Sequence, residues 1–278
     1  MVKRLAVVTG SNKGIGFGIV EVLCKKFDGT VMLCSRDLKR GQEAVDSLKS
    51  KGCNPVFHQL DITDESSIGK LKETIEKEYQ GLDVLVNNAA IAFKNASTVP
   101  FVTQAEETMA VNFFATLSVC KALFPLLRPH ARVVNVSSSA GMLRNVRSTE
   151  LKTRIADPNL TVDGLITLAN EYLNDVRANA HNDKGWPNSA YSTSKVMLSA
   201  LTFIQAREFG KDTREDIVIN AVHPGYVDTD MTSHNGTLTI EQGCQAPAYC
   251  ALLPANVNEP KGAMIWFDSS IVDWQSTN

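Results

Sequence analysis

The chain has 278 residues, of which 44% are apolar and 21% charged, and its 28 basic and 30 acidic side chains leave a net charge of −2. These proportions are those of a globular protein; they exclude collagen, coiled coil and disorder, and they supply no basic field of the kind that recruits nucleic acid or an anionic membrane. A chain of this length buries about three quarters of its unfolded surface, so a core without disulfide or metal staples is expected.

From the amino end, an apolar, β-branched run at 5–9 predicts a strand. It ends in a glycine-rich turn, Thr9-Gly-Ser-Asn-Lys-Gly-Ile-Gly16, and an amphipathic helix over 14–27 follows. Strands at 31–35, 56–60 and 82–87 then alternate with helices at 38–51 and 64–80. A helix near 103–125 leads to a strand at 133–136. A helix from 191 to about 210 leads to a strand at 217–222, and a helix from about 239 leads to a last one at 262–267. Nearly continuous apolar strands alternating with helices predict one α/β domain over 1–278, a Rossmann-type doubly wound parallel sheet of seven strands.

Residues 141–188 interrupt the alternation. They are polar and contain one amphipathic stretch, 161–180, in which Leu165, Leu168, Tyr172, Leu173 and Val176 recur at helical spacing. This predicts a helical insertion on the main domain. No run of about 18 apolar residues predicts a membrane span, and neither end reads as a signal peptide or address. A cytoplasmic protein without a membrane or nucleic-acid partner is expected. The six cysteines form no Cys-x-x-Cys and no metal-like pairing with the five histidines. Reduced, mostly buried thiols and no metal site are therefore expected, with His58, His130, His181, His223 and His234 read as surface or capping residues.

The turn at 9–16 sits between the first strand and first helix, where a dinucleotide fold holds a pyrophosphate. Its spacing is Gly-x-x-x-Gly-x-Gly. After the second strand stand Arg36 and Asp37. An acid directly at that strand end would hold a ribose hydroxyl, but Asp37 lies one place further on, and Arg36 suits a 2′-phosphate, with Lys13 as a second cation. Tyr191 and Lys195 are four apart in a helical segment and share a face. An ammonium there lowers the phenol below its usual value near ~10 and makes it a competent general acid for a developing alkoxide. Ser138, beyond a strand's carboxyl end, can polarise the same carbonyl oxygen.

Motifs in this order resemble the short-chain dehydrogenase/reductase family. They are the glycine turn, Leu60-Asp-Ile62, Asn87-Asn-Ala-Ala90, Asn135-Val-Ser-Ser138, Tyr191-Ser-Thr-Ser-Lys195 and His223-Pro-Gly-Tyr-Val-Asp-Thr229. The runs at 57–61, 111–114 and 185–191, together with the long insertion, are similar to the monomeric carbonyl reductases within it. The resemblance implies an NADPH-dependent reduction of ketones, aldehydes or quinones, with Asn112, Ser138, Tyr191 and Lys195 as the catalytic set. In that set Asn112 anchors a water linking Lys195 to solvent. It places the cofactor phosphates on Gly10, Asn12, Lys13, Ile15 and Gly16, the adenine by Asp61 and Ile62, and the adenine-side ribose on Asn88. Tyr191 and Lys195 hold the nicotinamide ribose, and Pro224, Gly225, Val227 and Thr229 the carboxamide. Substrate positions carried over are Phe93, Lys94, Asn95, Gln104, Ser138, Tyr226 and Met231.

Ala90 replaces the family's usual glycine, and Ser139, Tyr226 and Val222-His223 depart from relatives near the substrate mouth. Substrate identity therefore stays open, including any glutathione adduct. Oxidative, NAD-dependent alcohol dehydrogenation and a non-catalytic cofactor sensor are the alternatives. Ser138 and Tyr191 are 53 positions apart, far more than the usual family gap, so the insertion is expected to cover the helix faces used for oligomerisation and leave a monomer.

Overall fold

The structure, a computed structural model, describes residues 3–94 and 96–276. In chain order it contains β1 (Leu5–Val8), α1 (Gly14–Lys26), β2 (Thr30–Ser35), α2 (Leu38–Ser50), β3 (Val56–Gln59) and α3 (Glu65–Thr74). Then come β4 (Leu82–Asn87), α4 (Phe101–Met109), α5 (Thr116–Leu123), β5 (Leu127–Val136), α6 (Thr149–Ile155), α7 (Val162–Arg177) and α8 (Ala190–Phe209). The remainder is β6 (Val218–Val222), α9 (Ile240–Gly243), α10 (Gln245–Ala251), β7 (Met264–Ile265) and β8 (Ile271–Val272).

The strands form one sheet in the order β3-β2-β1-β4-β5-β6-β7-β8. Seven are parallel, as expected; an eighth, β8, runs antiparallel to β7 and corrects the count. Two residues with an exposed isoleucine carry too little periodicity for β8 to be read in advance. Strand β5 also starts six residues earlier than expected, at Leu127. Its polar Arg128 and Arg132 hide the strand from an apolar pattern, yet both are held by partners, Asp83 at 2.6 Å and Asp216 at 2.8 Å. Alternation does the packing along β1: Ala6 and Val8 face Ile19, Val20 and Leu23, while Leu5 and Val7 face Leu71, Ile75 and Val119.

The insertion is folded. Leu165, Leu168, Tyr172, Leu173 and Val176 are all buried in one cluster with Met109 of α4 and Met197, Ala200 and Leu201 of α8. Trp186, fully buried, packs edge-on against Tyr172 at 5.5 Å, and its indole N–H donates to Asp175 at 2.9 Å. Two further expectations need correction. His181 and His223 are buried, because each imidazole packs as a ring against an aromatic neighbour: His181 stacks on Phe101 at 4.7 Å and His223 lies against Trp266 at 4.3 Å. The helical stretch Phe101–Leu126 does reach the length and apolar content of a membrane span, with half of its most apolar window buried inside the fold. The cysteines are free thiols; five are buried and Cys24 is half-buried, its thiol pushed up to about 12 by desolvation.

Candidate active site

Three elements bring the catalytic candidates together at the carboxyl edge of the sheet. Strand β5 ends next to Ser138, whose hydroxyl accepts from Ala140 N at 3.1 Å and starts a tight turn, Ser139–Gly141. Helix α8, capped by Ser189, presents Tyr191 and Lys195 on one face. The Ser138 hydroxyl hydrogen-bonds the Tyr191 side chain, and the Lys195 ammonium lies 5.7 Å from the Tyr191 ring centroid. Lys195 is buried, and its Nζ donates to Val136 O at 2.7 Å.

Electrostatics here differ from the expectation that Lys195 depresses Tyr191. Burial raises the Tyr191 phenol above its ordinary value, and the Ser138 hydrogen bond only partly opposes this. The same desolvation falls on the cation, bringing Lys195 down to about 7. In this state, then, Tyr191 is a protonated, half-buried phenol above a weakly held ammonium proton.

Asn112 stands in the π-helical turn Ala110–Ala115 between α4 and α5. Its Nδ2 donates to Ile91 O at 2.9 Å and Ser194 Oγ at 3.0 Å, and its Oδ1 accepts from Ile91 N at 2.8 Å. Ser194 donates in turn to Tyr191 O at 2.8 Å. Asn112 thus reaches α8 through Ser194, the neighbour of Lys195, rather than at Lys195 itself.

The glycine turn is built for close approach. Gly10 has φ +61°, and a Cβ there would stand 2.6 Å from Ala89 Cα; one on Gly16 would stand 2.4 Å from Asn88 Nδ2. The Asn88 amide, placed by the resemblance on a ribose, donates to Thr9 O at 3.0 Å and Gly10 O at 2.9 Å. It clamps the turn. Ala90 lies outside the left-handed region, so its methyl costs no strain. Helices α2, α3, α7 and α8 each have one first-turn amide taken by the side chain of Asp37, Asp64, Thr161 or Ser189. Lys13 at the N-cap of α1 makes no such bond, which leaves the α1 amides and their partial positive charge for an anion.

Around this turn, Asp37 is engaged as the α2 cap, accepting from Arg40 N at 2.8 Å, and Arg36 is exposed. Lys13, the second cation expected for the 2′-phosphate, is paired with Asp230 at 2.5 Å, with both side chains exposed. Asp61 accepts from Thr63 N at 2.9 Å and its hydroxyl at 2.7 Å, beside a buried Ile62. Asn12 and Ile15 are half-buried in the turn. After β6, Gly225 takes φ +89°, where a Cβ would meet Leu238 at 2.3 Å. The segment from Pro224 then carries a buried Val227 and brings the Thr229 methyl within 3.5 Å of a Cβ placed on Gly14.

The substrate candidates gather less tightly. Tyr226 and Met231 are 51% and 39% exposed on the loop after β6, and Phe93 is half-buried across from it. Lys94 is tied to Ser233 Oγ at 2.8 Å and to the Asp230 carbonyl. Gln104 donates to Val99 O at 2.8 Å within its own segment. Asn95 lies outside the described residues. Sequence reasoning missed the contribution of the last strands: Phe267, 40% exposed, is 3.3 Å from a Cβ placed on Gly225, and Trp274 bonds the turn after Ser138. The aromatic content of this segment is the sequence signal that could have found them.

A sequence model described as short chain dehydrogenase matches residues 4–149. Carbonyl reductase (NADPH) 3 of Mus musculus is 46% identical over 265 residues, covering 94% of this chain and 95% of the relative. Carbonyl reductase (NADPH) 1 of Homo sapiens has the same identity and coverage. Salutaridine reductase from Papaver somniferum superposes with a TM-score of 0.84 at 34% identity, over 94% of this chain and 99% of that one. An NADPH-bound carbonyl reductase from chicken fatty liver gives a TM-score of 0.68 at 26% identity, over 98% and 99%.

Proposed function

The chain belongs to the short-chain dehydrogenase family, and from that premise we propose that its cleft reduces ketones, aldehydes or quinones to alcohols with NADPH. The observation that carries this reading is the Ser138–Tyr191 hydroxyl pair above Lys195, at the same sheet edge as an uncapped helix behind a glycine turn. NADPH supplies the hydride when bound. The α1 amides and Gly10, Asn12, Ile15 and Gly16 would take its phosphates, and Asp61, Ile62 and Asn88 would border the adenosine. Pro224, Gly225, Val227 and Thr229 would line the nicotinamide end. Arg36, with Lys13, would meet the 2′-phosphate.

The chain's own groups do the rest. The Ser138 hydroxyl holds the substrate's carbonyl oxygen and orients it toward Tyr191. Tyr191 Oη donates its proton to that oxygen as negative charge develops on it. Lys195 Nζ, low in pKa and buried beneath, offsets the phenolate charge that remains. Asn112 is the positioning residue of this set, since it ties the helix turn between Tyr191 and Lys195 to the backbone at Ile91. The exposed Tyr226 and Met231, with Phe93, form the apolar entrance to the cleft. The test is carbonyl-dependent NADPH oxidation against quinones, aryl ketones and aliphatic aldehydes, with NADH in parallel. No turnover with any carbonyl would remove this reading.

A monomer follows from the insertion, because α7 covers the faces of α4 and α8 that would otherwise stay open and apolar. Light scattering of the purified protein is expected to give a mass near 30.3 kDa. Twice or four times that value sinks the capping role. Free, buried thiols support a reducing compartment, the cytoplasm.

A further inference from the structure

The chain's last segment returns to the catalytic edge of the sheet. After β7, Asp268 accepts from Ser270 N at 3.0 Å and from its hydroxyl at 2.6 Å, turning the chain back as β8. This reversal lays Trp274 across the turn that follows Ser138. Trp274 is 6% exposed, and its indole N–H donates to Gly141 O at 2.7 Å. Its own carbonyl accepts from Leu143 N at 3.2 Å. The same ring lies 5.0 Å from Phe203 on α8, the helix that carries Tyr191 and Lys195. One side chain therefore touches both the turn that follows Ser138 and the helix that carries Tyr191.

The bonds lead directly to the serine. Gly141 N donates to Ser138 O at 2.9 Å, and Ala140 N donates to Ser138 Oγ at 3.1 Å, so the turn sets the direction of the hydroxyl. The turn also presses on the helix: a Cβ on Gly141 would stand 2.6 Å from Ser137 Oγ and 2.7 Å from Lys195 O. Asn145 braces it from the other side, its Nδ2 donating to Ser139 O and Ala140 O at 3.0 Å and to Met142 O at 3.2 Å. A hydroxyl at a strand end otherwise rotates freely, and misplacement by a fraction of an ångström lowers the rate steeply.

We propose that Trp274, with Asn145, is a positioning residue that holds Ser138 in register with Tyr191. Neither side chain touches the reacting atoms in this assignment; both act through the turn. It rests on the carbonyl-reductase reading of the site, and an inactive wild-type protein would count against that reading alone. Trp274→Phe keeps a ring against Phe203 and removes the N–H. With an active wild type, kcat for carbonyl reduction is expected to fall about tenfold with NADPH affinity little changed, while the smaller ring and the unpaired Gly141 carbonyl lower the melting temperature without unfolding the protein.

The decisive readout is a double-mutant cycle. In a Ser138→Ala background, Trp274→Phe is expected to lower kcat by less than about twofold, because the group it positions is already gone. A loss of about tenfold in both backgrounds would show general disorganisation of the fold and overturn the proposal, as would an unchanged kcat in the wild-type background. Asn145→Ala leaves the carboxyl-terminal segment intact and should show the same loss and the same dependence on Ser138. If Trp274→Phe does not fold, the Asn145 cycle decides by the same criteria.

Discussion

Tyr191→Phe is expected to lower kcat for carbonyl reduction by about a hundred- to ten-thousand-fold while NADPH still binds. The ring stays in place and only the proton donor is lost. Because burial holds the phenol above its ordinary value near 10, Tyr191 is protonated throughout the neutral range. The sign follows: a raised pKa keeps the acid loaded as pH increases, so reduction shows no loss of this donor between pH 6 and 8, about two units or more below its titration. Lys195, brought down to about 7, titrates inside that range, so the donor is checked by the ratio of wild-type to variant kcat, which is expected to stay constant from pH 6 to 8, together with cofactor titration of the variant. A variant retaining half of the wild-type kcat would show that another group delivers the proton.

Arg36→Ala combined with Lys13→Ala is expected to raise KM for NADPH by about tenfold or more and to leave KM for NADH nearly unchanged. Charge-assisted hydrogen bonds to a phosphate contribute roughly 1.5–3 kcal/mol each, and exposure at the cleft rim reduces that. The structure refines how the loss divides. Lys13 is already paired with Asp230, whereas Arg36 stands exposed at the end of β2 with its neighbour Asp37 engaged as the α2 cap. The single Arg36→Ala variant should therefore carry most of the effect. Equal losses for both cofactors in initial-rate measurements would assign the two cations to the stability of the loop instead of to the 2′-phosphate.

What was legible in the sequence is what local chemistry dictates. The β-branched runs, the glycine turn and the helical spacing of Leu165 to Val176 each carry a period or a backbone demand within a short window, and the strands, the turn and the packed insertion follow them. Tyr191 and Lys195 are one helical turn apart, so their shared face was a local fact as well. The sequence also placed Ser138 at a strand end, and the structure brings it against Tyr191.

Tertiary structure alone decided the charges and the bracing. Whether Lys195 or burial governs Tyr191 depends on how much of the fold closes over them, and desolvation wins at both groups. Lys13 met Asp230, 217 residues away, and Asn88 turned to the carbonyls of the glycine turn. Strand β8 and Trp274 were hidden for the same reason. Two residues of strand have no periodicity to read, and the partner of the indole N–H, Gly141 O, lies 133 residues earlier in the chain. Contacts set by chain packing leave no trace in a local pattern, because their energy comes from the residue that folding brings alongside.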